Sequence, residues 1–125
     1  QLILIIIFMI EVACGIMYNS NNKILMGLRK DKDVWEFPGG KREKNESITE
    51  CLKREWIEEL NLKIIISHEL TSYIDNNYLC RFFIGTIIDE SNVKILVHDK
   101  ICFIDKKGLF NLDLFESDYK LINLL

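Results

Sequence analysis

GKREKNESITECLKREWIEELNL, residues 40–62, is the stretch from which this chain is best read. Ser47 followed three residues later by Glu50 is the signature of a capping box, in which each side chain caps the other's backbone amide. Asn61 is, after glycine, the residue that most readily takes the left-handed backbone of a helix end. These signals predict a helix over about 48–60. Turning about 100° per residue from Ile48, the side chains of Cys51, Leu52, Trp56 and Leu60 fall on one apolar arc between about 300° and 120°. Glu55 at about 340° and Glu59 at about 20° lie inside that arc, and Glu58 at about 280° lies at its edge.

Three carboxylates therefore crowd the side of the helix that should face the core. Burying even one unpaired carboxylate costs several kcal/mol, and like charges one turn apart repel. Two arrangements relieve the conflict. The face is a solvated acidic stripe, which the high helix propensity of glutamate permits, or the acids are paired with basic groups or a hard cation. Magnesium takes carboxylate oxygens and shares its remaining positions with water and phosphate. The neighbouring sequence favours the second arrangement. Gly39-Gly40 allows close backbone approach and can offer a carbonyl oxygen to a metal. Arg54 is always charged and can fork two hydrogen bonds to a carboxylate, with Glu46 or Glu55 as partner.

The segment resembles the Nudix box: Gly, five residues, Glu, seven residues, Arg-Glu, a bulky apolar residue, any residue, Glu-Glu, any residue, Gly, and a bulky apolar residue. Gly40, Glu46, Arg54, Glu55, Glu58, Glu59 and Leu62 stand at the required spacings. Trp56 replaces the usual aliphatic residue and Asn61 the final glycine, and neither change touches an acid. The run Trp35 to Lys41, WEFPGGK, and the LDLFESD stretch from Leu112 to Asp118 are similar to segments of MutT-like members.

The resemblance implies a single-domain α/β/α sandwich over residues 1–125, with a central mixed sheet, the box helix and a C-terminal helix. It implies a nucleoside triphosphate pyrophosphohydrolase that uses Mg²⁺, with Mn²⁺ as a substitute, held by Glu55, Glu58, Glu59 and the Gly39 carbonyl. The base that activates water is Glu55 or Glu58, and Arg54 and Glu46 orient the acids. A further acid from a late loop is expected, and Asp99 is its candidate, the other reading being a plain turn residue. Arg29 matches a phosphate-contacting position, Phe37 and Asp118 match positions that meet the base, and Tyr73 stacks on the base or packs within its strand. The expected reaction is MutT-like clearance of 8-oxo-dGTP. CTP or modified-dCTP hydrolysis is the alternative, and a non-catalytic nucleotide-binding domain is the alternative of another class.

Around the box, strands are expected at about 10–18, 23–29, 62–70, 71–74 and 78–88. A short segment spans 34–37, and another strand spans 94–104 with a break at His98-Asp99. Asn19 to Asn22 and Asp75 to Asn77 are turn sequences, and 115–125 reads as a closing helix. The apolar run from Gln1 to Ile10 is shorter than the about 20 residues a membrane helix needs. Residues 1–8 are expected to be an extension outside the core, with Met9 a natural start.

The chain has 125 residues, 49% hydrophobic and 28% charged, enough for one globular core. A net charge of −3 argues against a nucleic-acid polymer as partner, but not against a phosphorylated small molecule whose charge a bound cation offsets. Cys14, Cys51, Cys80 and Cys102 form no C-x-x-C pair, which suits reduced thiols and a cytoplasmic location rather than a zinc site. Either a monomer or a homodimer fits this reading.

Overall fold

The computed structural model describes residues 2–3 and 8–125. Most of the segment expected to lie outside the core, 1–8, therefore falls outside the described residues. Seven strands form one mixed sheet: β1 (Ile10–Tyr18), β2 (Ile24–Arg29), β3 (Val34–Glu36), β4 (Gly39–Lys41), β5 (Ile64–Asp75), β6 (Tyr78–Ile87) and β7 (Lys100–Ile104). Its main path runs β3-β2-β1-β6-β5, with β4 added to β1 and β7 to β2. The β1–β6 pair is parallel along its whole length, Ile10 opposite Tyr78 through Tyr18 opposite Thr86, and the other pairs are antiparallel.

The alternation of side chains along these strands builds two cores. Ala13, Met17, Leu25 and Phe83 point to one face, where Cys51, Leu52, Trp56 and Leu60 of helix α1 (Ile48–Leu60) cover them. Ile16, Met26 and Phe82 point to the other, under Leu109, Leu114, Leu121 and Ile122 of the C-terminal segment. The result is the expected three-layer sandwich.

Helix α1 has the predicted ends. Ser47 Oγ accepts from the Glu50 amide, Glu50 accepts from the Ser47 amide, and Asn61 has φ 55° and ψ 36°. Trp56 is fully buried. Its ring lies where a side chain on Gly15 would otherwise be, and Nε1 donates to the Pro38 carbonyl at 2.9 Å. That bond ties the helix to the turn before β4.

Three expectations change. Strand 94–104 shortens to Lys100–Ile104, because the amides of Lys94 and Leu96 are used to cap the carbonyls of Leu60 and Glu59 at the end of α1. Strands 62–70 and 71–74 are one strand, β5, with two irregularities in its pairing to β6. The closing helix shrinks to a 3₁₀ turn, Glu116–Asp118, and one helical turn, α2 (Tyr119–Ile122). The Tyr119 hydroxyl donates to the Leu112 carbonyl and accepts from the Leu114 amide, folding the segment back on itself. Gly39-Gly40 is part of β4, and among the described residues no glycine has positive φ. These glycines are needed for space: a Cβ at position 39 would lie 1.8 Å from the Ala13 carbonyl oxygen.

Candidate active site

Helix α1, the β3–β4 segment, the end of β5 and the start of β6, His98 and the 3₁₀ turn at 116–118 surround one cleft of about 1220 Å³. Among the sequence-predicted residues, Arg29, Phe37, Gly39, Glu55, Glu58, Glu59, Tyr73 and Asp118 all line it. Glu46 and Arg54 stand behind the acids, and Asp99 is not part of the wall.

Arg54 organises the acidic end. Its Nε and Nη2 fork onto Glu46 at 2.9 and 2.8 Å. Nη1 donates to Glu55 at 2.9 Å and to Glu58, one turn on, at 3.1 Å. The Glu46 carboxylate also accepts from the Glu43 amide. Hydrogen bonds from Arg54 are the largest cause that brings Glu46 down to about 2. Arg54 thus serves both partners the sequence left open. The Glu55 carboxylate rests against Gly40, where a Cβ would meet its Cδ at 2.4 Å. The three acids of the helix are not equally buried, as the apolar arc implied. Glu59 is 6% exposed, whereas the Glu55 and Glu58 side chains are 17% and 57% exposed.

Glu59 is the strained member. Its Oε2 is buried and has no hydrogen-bond partner among the described residues. Burial, then the neighbouring Glu55 and the charges of Glu36 and Glu58, push its carboxyl up to about 9. A hard divalent cation fits this donor set: carboxylate oxygens converging on a cleft, one of them buried without a partner. Glu55, Glu58 and Glu59 all line the cleft and are the helix carboxylates that could hold such an ion.

Sequence reasoning missed Glu36 and placed His98 only at a break in a strand. Both line the cleft. His98 is 4% exposed, and its Nε2 lies 2.8 Å from Glu36 and 3.8 Å from Glu59. No local pattern in the sequence marked either residue. Asp99, the expected further acid, instead turns outward: its side chain is 48% exposed and lies 3.7 Å from Lys30. The chain direction explains this, since adjacent side chains at 98 and 99 diverge and His98 takes the inward place.

The other end of the cleft is aromatic. The Tyr73 ring stacks on Phe82 at 5.3 Å, and Phe37 meets Phe82 edge-on at 6.1 Å. Phe37 is only 2% exposed, so its ring is chiefly packing. The Tyr73 hydroxyl donates to Asp118 at 2.7 Å. Burial raises the Asp118 carboxyl to about 6, against the lowering effect of that bond. Arg29 is held in a two-pronged pair with Asp31 at 3.1 and 2.8 Å, and lies 3.8 Å from Glu36.

Asp118 carries a stability consequence. Its native carboxyl titrates at about 6 rather than 3.8, so the ionised form is disfavoured by folding. The resulting penalty is absent below pH 3.8, grows as pH rises through about 6 and is complete above it. Asp118→Asn keeps an acceptor for Tyr73 and removes the charge. It is expected to stabilise the protein at pH 7.5 by about 3 kcal/mol and to leave it unchanged near pH 4. Melting curves of both proteins across that range check it, and a gap independent of pH would contradict it.

Residues 9–103 match the NUDIX domain. The chain belongs to the NUDIX domain family. An 8-oxo-dGTP diphosphatase of Buchnera aphidicola subsp. Schizaphis graminum is 46% identical over 58 residues, 44% of this chain and 45% of that protein. The match thus spans less than half of that relative. The mRNA-decapping enzyme subunit 2 of Saccharomyces cerevisiae is 37% identical over 89 residues, 70% of this chain but 8% of that protein. Among solved structures, a MutT from work on Aliivibrio salmonicida and Vibrio cholerae superposes with TM-score 0.81 at 22% identity, covering 91% of this chain and 94% of that one. The E. coli ORF135 protein gives 0.76 at 25%, covering 93% and 87%. The fold is that of the MutT proteins.

Proposed function

We propose that this chain hydrolyses a nucleoside triphosphate to the monophosphate and pyrophosphate with a divalent cation, Mg²⁺ or Mn²⁺, and that its substrate is 8-oxo-dGTP. The observation that carries the reading is Glu59, a buried carboxylate with an unpartnered oxygen, opening with Glu55 and Glu58 into a cleft whose far end is aromatic. When bound, the cation offsets charge on the phosphate oxygens. The base is Glu55 or Glu58, and Arg54 fixes both carboxylates toward the cleft. Glu46 in turn fixes Arg54. Arg29 contacts phosphate once it exchanges Asp31 for the ligand, a bidentate geometry that guanidinium suits. The floor of Phe82, Phe37 and Tyr73 receives the base, and Asp118 reads its edge. The partial identity to the Buchnera diphosphatase supports the choice of substrate. Four free cysteines suit the reducing cytoplasm, where that nucleotide pool lies.

A nucleotide panel with pyrophosphate detection tests this. The expected result is a kcat/KM for 8-oxo-dGTP at least about tenfold above that for dGTP, the scale one added base contact supplies. Equal turnover of the two would reject the substrate. Preference for CTP or 5-hydroxy-dCTP would make the enzyme a pyrimidine pyrophosphohydrolase. Cleavage of capped RNA would put it with the decapping relative. Melting shifts without product would mark a binding domain.

A further inference from the structure

Glu36 has no role in the account above, yet it faces Glu59 across the cleft. Strand register places Glu36 opposite Gly27. Gly27 leaves the room the His98 ring occupies, since a Cβ there would lie 2.5 Å from the ring. The His98 side chain is 1% exposed and its Nε2 is 2.8 Å from Glu36 Oε2. Ligand atoms of Glu36, Glu59 and His98 lie within 4.8 Å of one another. Groups that share one octahedral ion at about 2.1 Å per bond stand about 3–4 Å apart.

We propose that Glu36 is a ligand of the divalent cation, the acid from outside the central helix, and that His98 is the positioning residue that holds it. The proposal rests on the reading that Glu59 helps bind that cation. Three observations carry it. Glu59 Oε2 is buried without a partner, on the residue that faces Glu36. Among the described residues, neither lysine nor arginine comes within 4.0 Å of Glu59, and the arginine near Glu36, Arg29 at 3.8 Å, is held more closely by Asp31 at 2.8 Å. A glutamine at position 36 would accept from His98 equally well and would not repel Glu59, so the carboxylate is the costlier side chain unless a cation sits between them. His98 Nε2 engages Glu36, and its other ring nitrogen, Nδ1, is buried without a partner. A histidine that orients a carboxylate ligand is the converse of the familiar carboxylate that orients a histidine.

Binding of Mn²⁺ alone, followed through the EPR signal of the free ion, tests this on the intact chain with metal-free melting as a second readout. Glu36→Gln keeps the hydrogen bond from His98. It is expected to weaken Mn²⁺ at least about tenfold while the metal-free protein melts at or above the wild-type temperature. Glu36→Asp keeps the charge and shortens its reach, and it is also expected to weaken Mn²⁺ at least about tenfold. An affinity within about twofold of wild type for either variant would overturn the proposal; in the aspartate case Glu36 would be a distant charge rather than a ligand. Glu59→Gln separates the underlying reading. If it binds Mn²⁺ like wild type, the helix acids do not hold the ion and the proposal falls with them. If it loses Mn²⁺ while Glu36→Gln keeps it, only the role of Glu36 is wrong.

Discussion

Glu59→Gln is expected to make the metal-free protein melt at a higher temperature while lowering turnover by about two orders of magnitude or more. The two effects share one cause. Glu59 is buried with one oxygen unpartnered, and its carboxyl is pushed up to about 9, first by burial. A group raised above its ordinary 4.5 costs nothing below that pH, and its penalty grows as pH rises toward 9. The amide has no such penalty, so the gain in melting temperature should be near zero at pH 4.5 and largest at pH 8–9. The same substitution removes an oxygen from the cation site, whose charge stabilisation is worth several kcal/mol in the transition state. Melting in a chelator across pH, alongside pyrophosphate release, measures both. A destabilised variant with near-normal turnover would contradict this account of the site.

Arg54→Met should have the opposite pattern, losing stability and activity together. Arg54 makes four hydrogen bonds to Glu46, Glu55 and Glu58. Methionine fills part of the stem's space and leaves three carboxylates facing one another. Because Arg54 is 24% exposed, water relieves part of this, and the loss is expected to be about 2 kcal/mol rather than the full cost of a buried broken pair. Turnover should fall about 10- to 100-fold as Glu55 and Glu58 lose their alignment. There is also a signature in acid. Glu46 is held down at about 2, mainly by its hydrogen bonds from Arg54, against an ordinary 4.5. That stabilisation is present above pH 4.5 and lost as pH falls through 2. Urea midpoints between pH 5 and 2 should therefore fall more steeply for wild type than for the variant. Parallel slopes would show that Arg54 does not hold Glu46.

The helix that carries these residues was legible from sequence because its determinants are local. Ser47, Glu50 and Asn61 act within one turn of the residues they cap, and the acids sit at fixed angles around one axis. The strands β1, β2 and β6 were legible for the same reason, from alternation and turn residues. What failed was decided at a distance. Residues 94–96 have strand-like side chains, but their amides are taken by the carbonyls at the end of α1. The tail has apolar residues at Leu121, Ile122, Leu124 and Leu125 that suit a helix, yet Tyr119 ties it back to Leu112. In the site, Arg54 and its partners were found because each partner lies within eight residues of Arg54. Glu36 and His98 are 62 residues apart. Nothing local joins them, and only the packing of His98 over Gly27 does. Asp99 was favoured for being an acid, and its place beside an inward-facing neighbour sends it to solvent.

A crystal structure with Mn²⁺ and a non-hydrolysable triphosphate analogue would bear most directly on why these acids are tolerated. Anomalous density is expected at about 2.1–2.3 Å from a Glu59 oxygen, shared with other acids of the cleft and with phosphate, and the base against Asp118. Glutamates turned into open solvent, with no ion at Glu59 and the nucleotide elsewhere, would contradict this expectation.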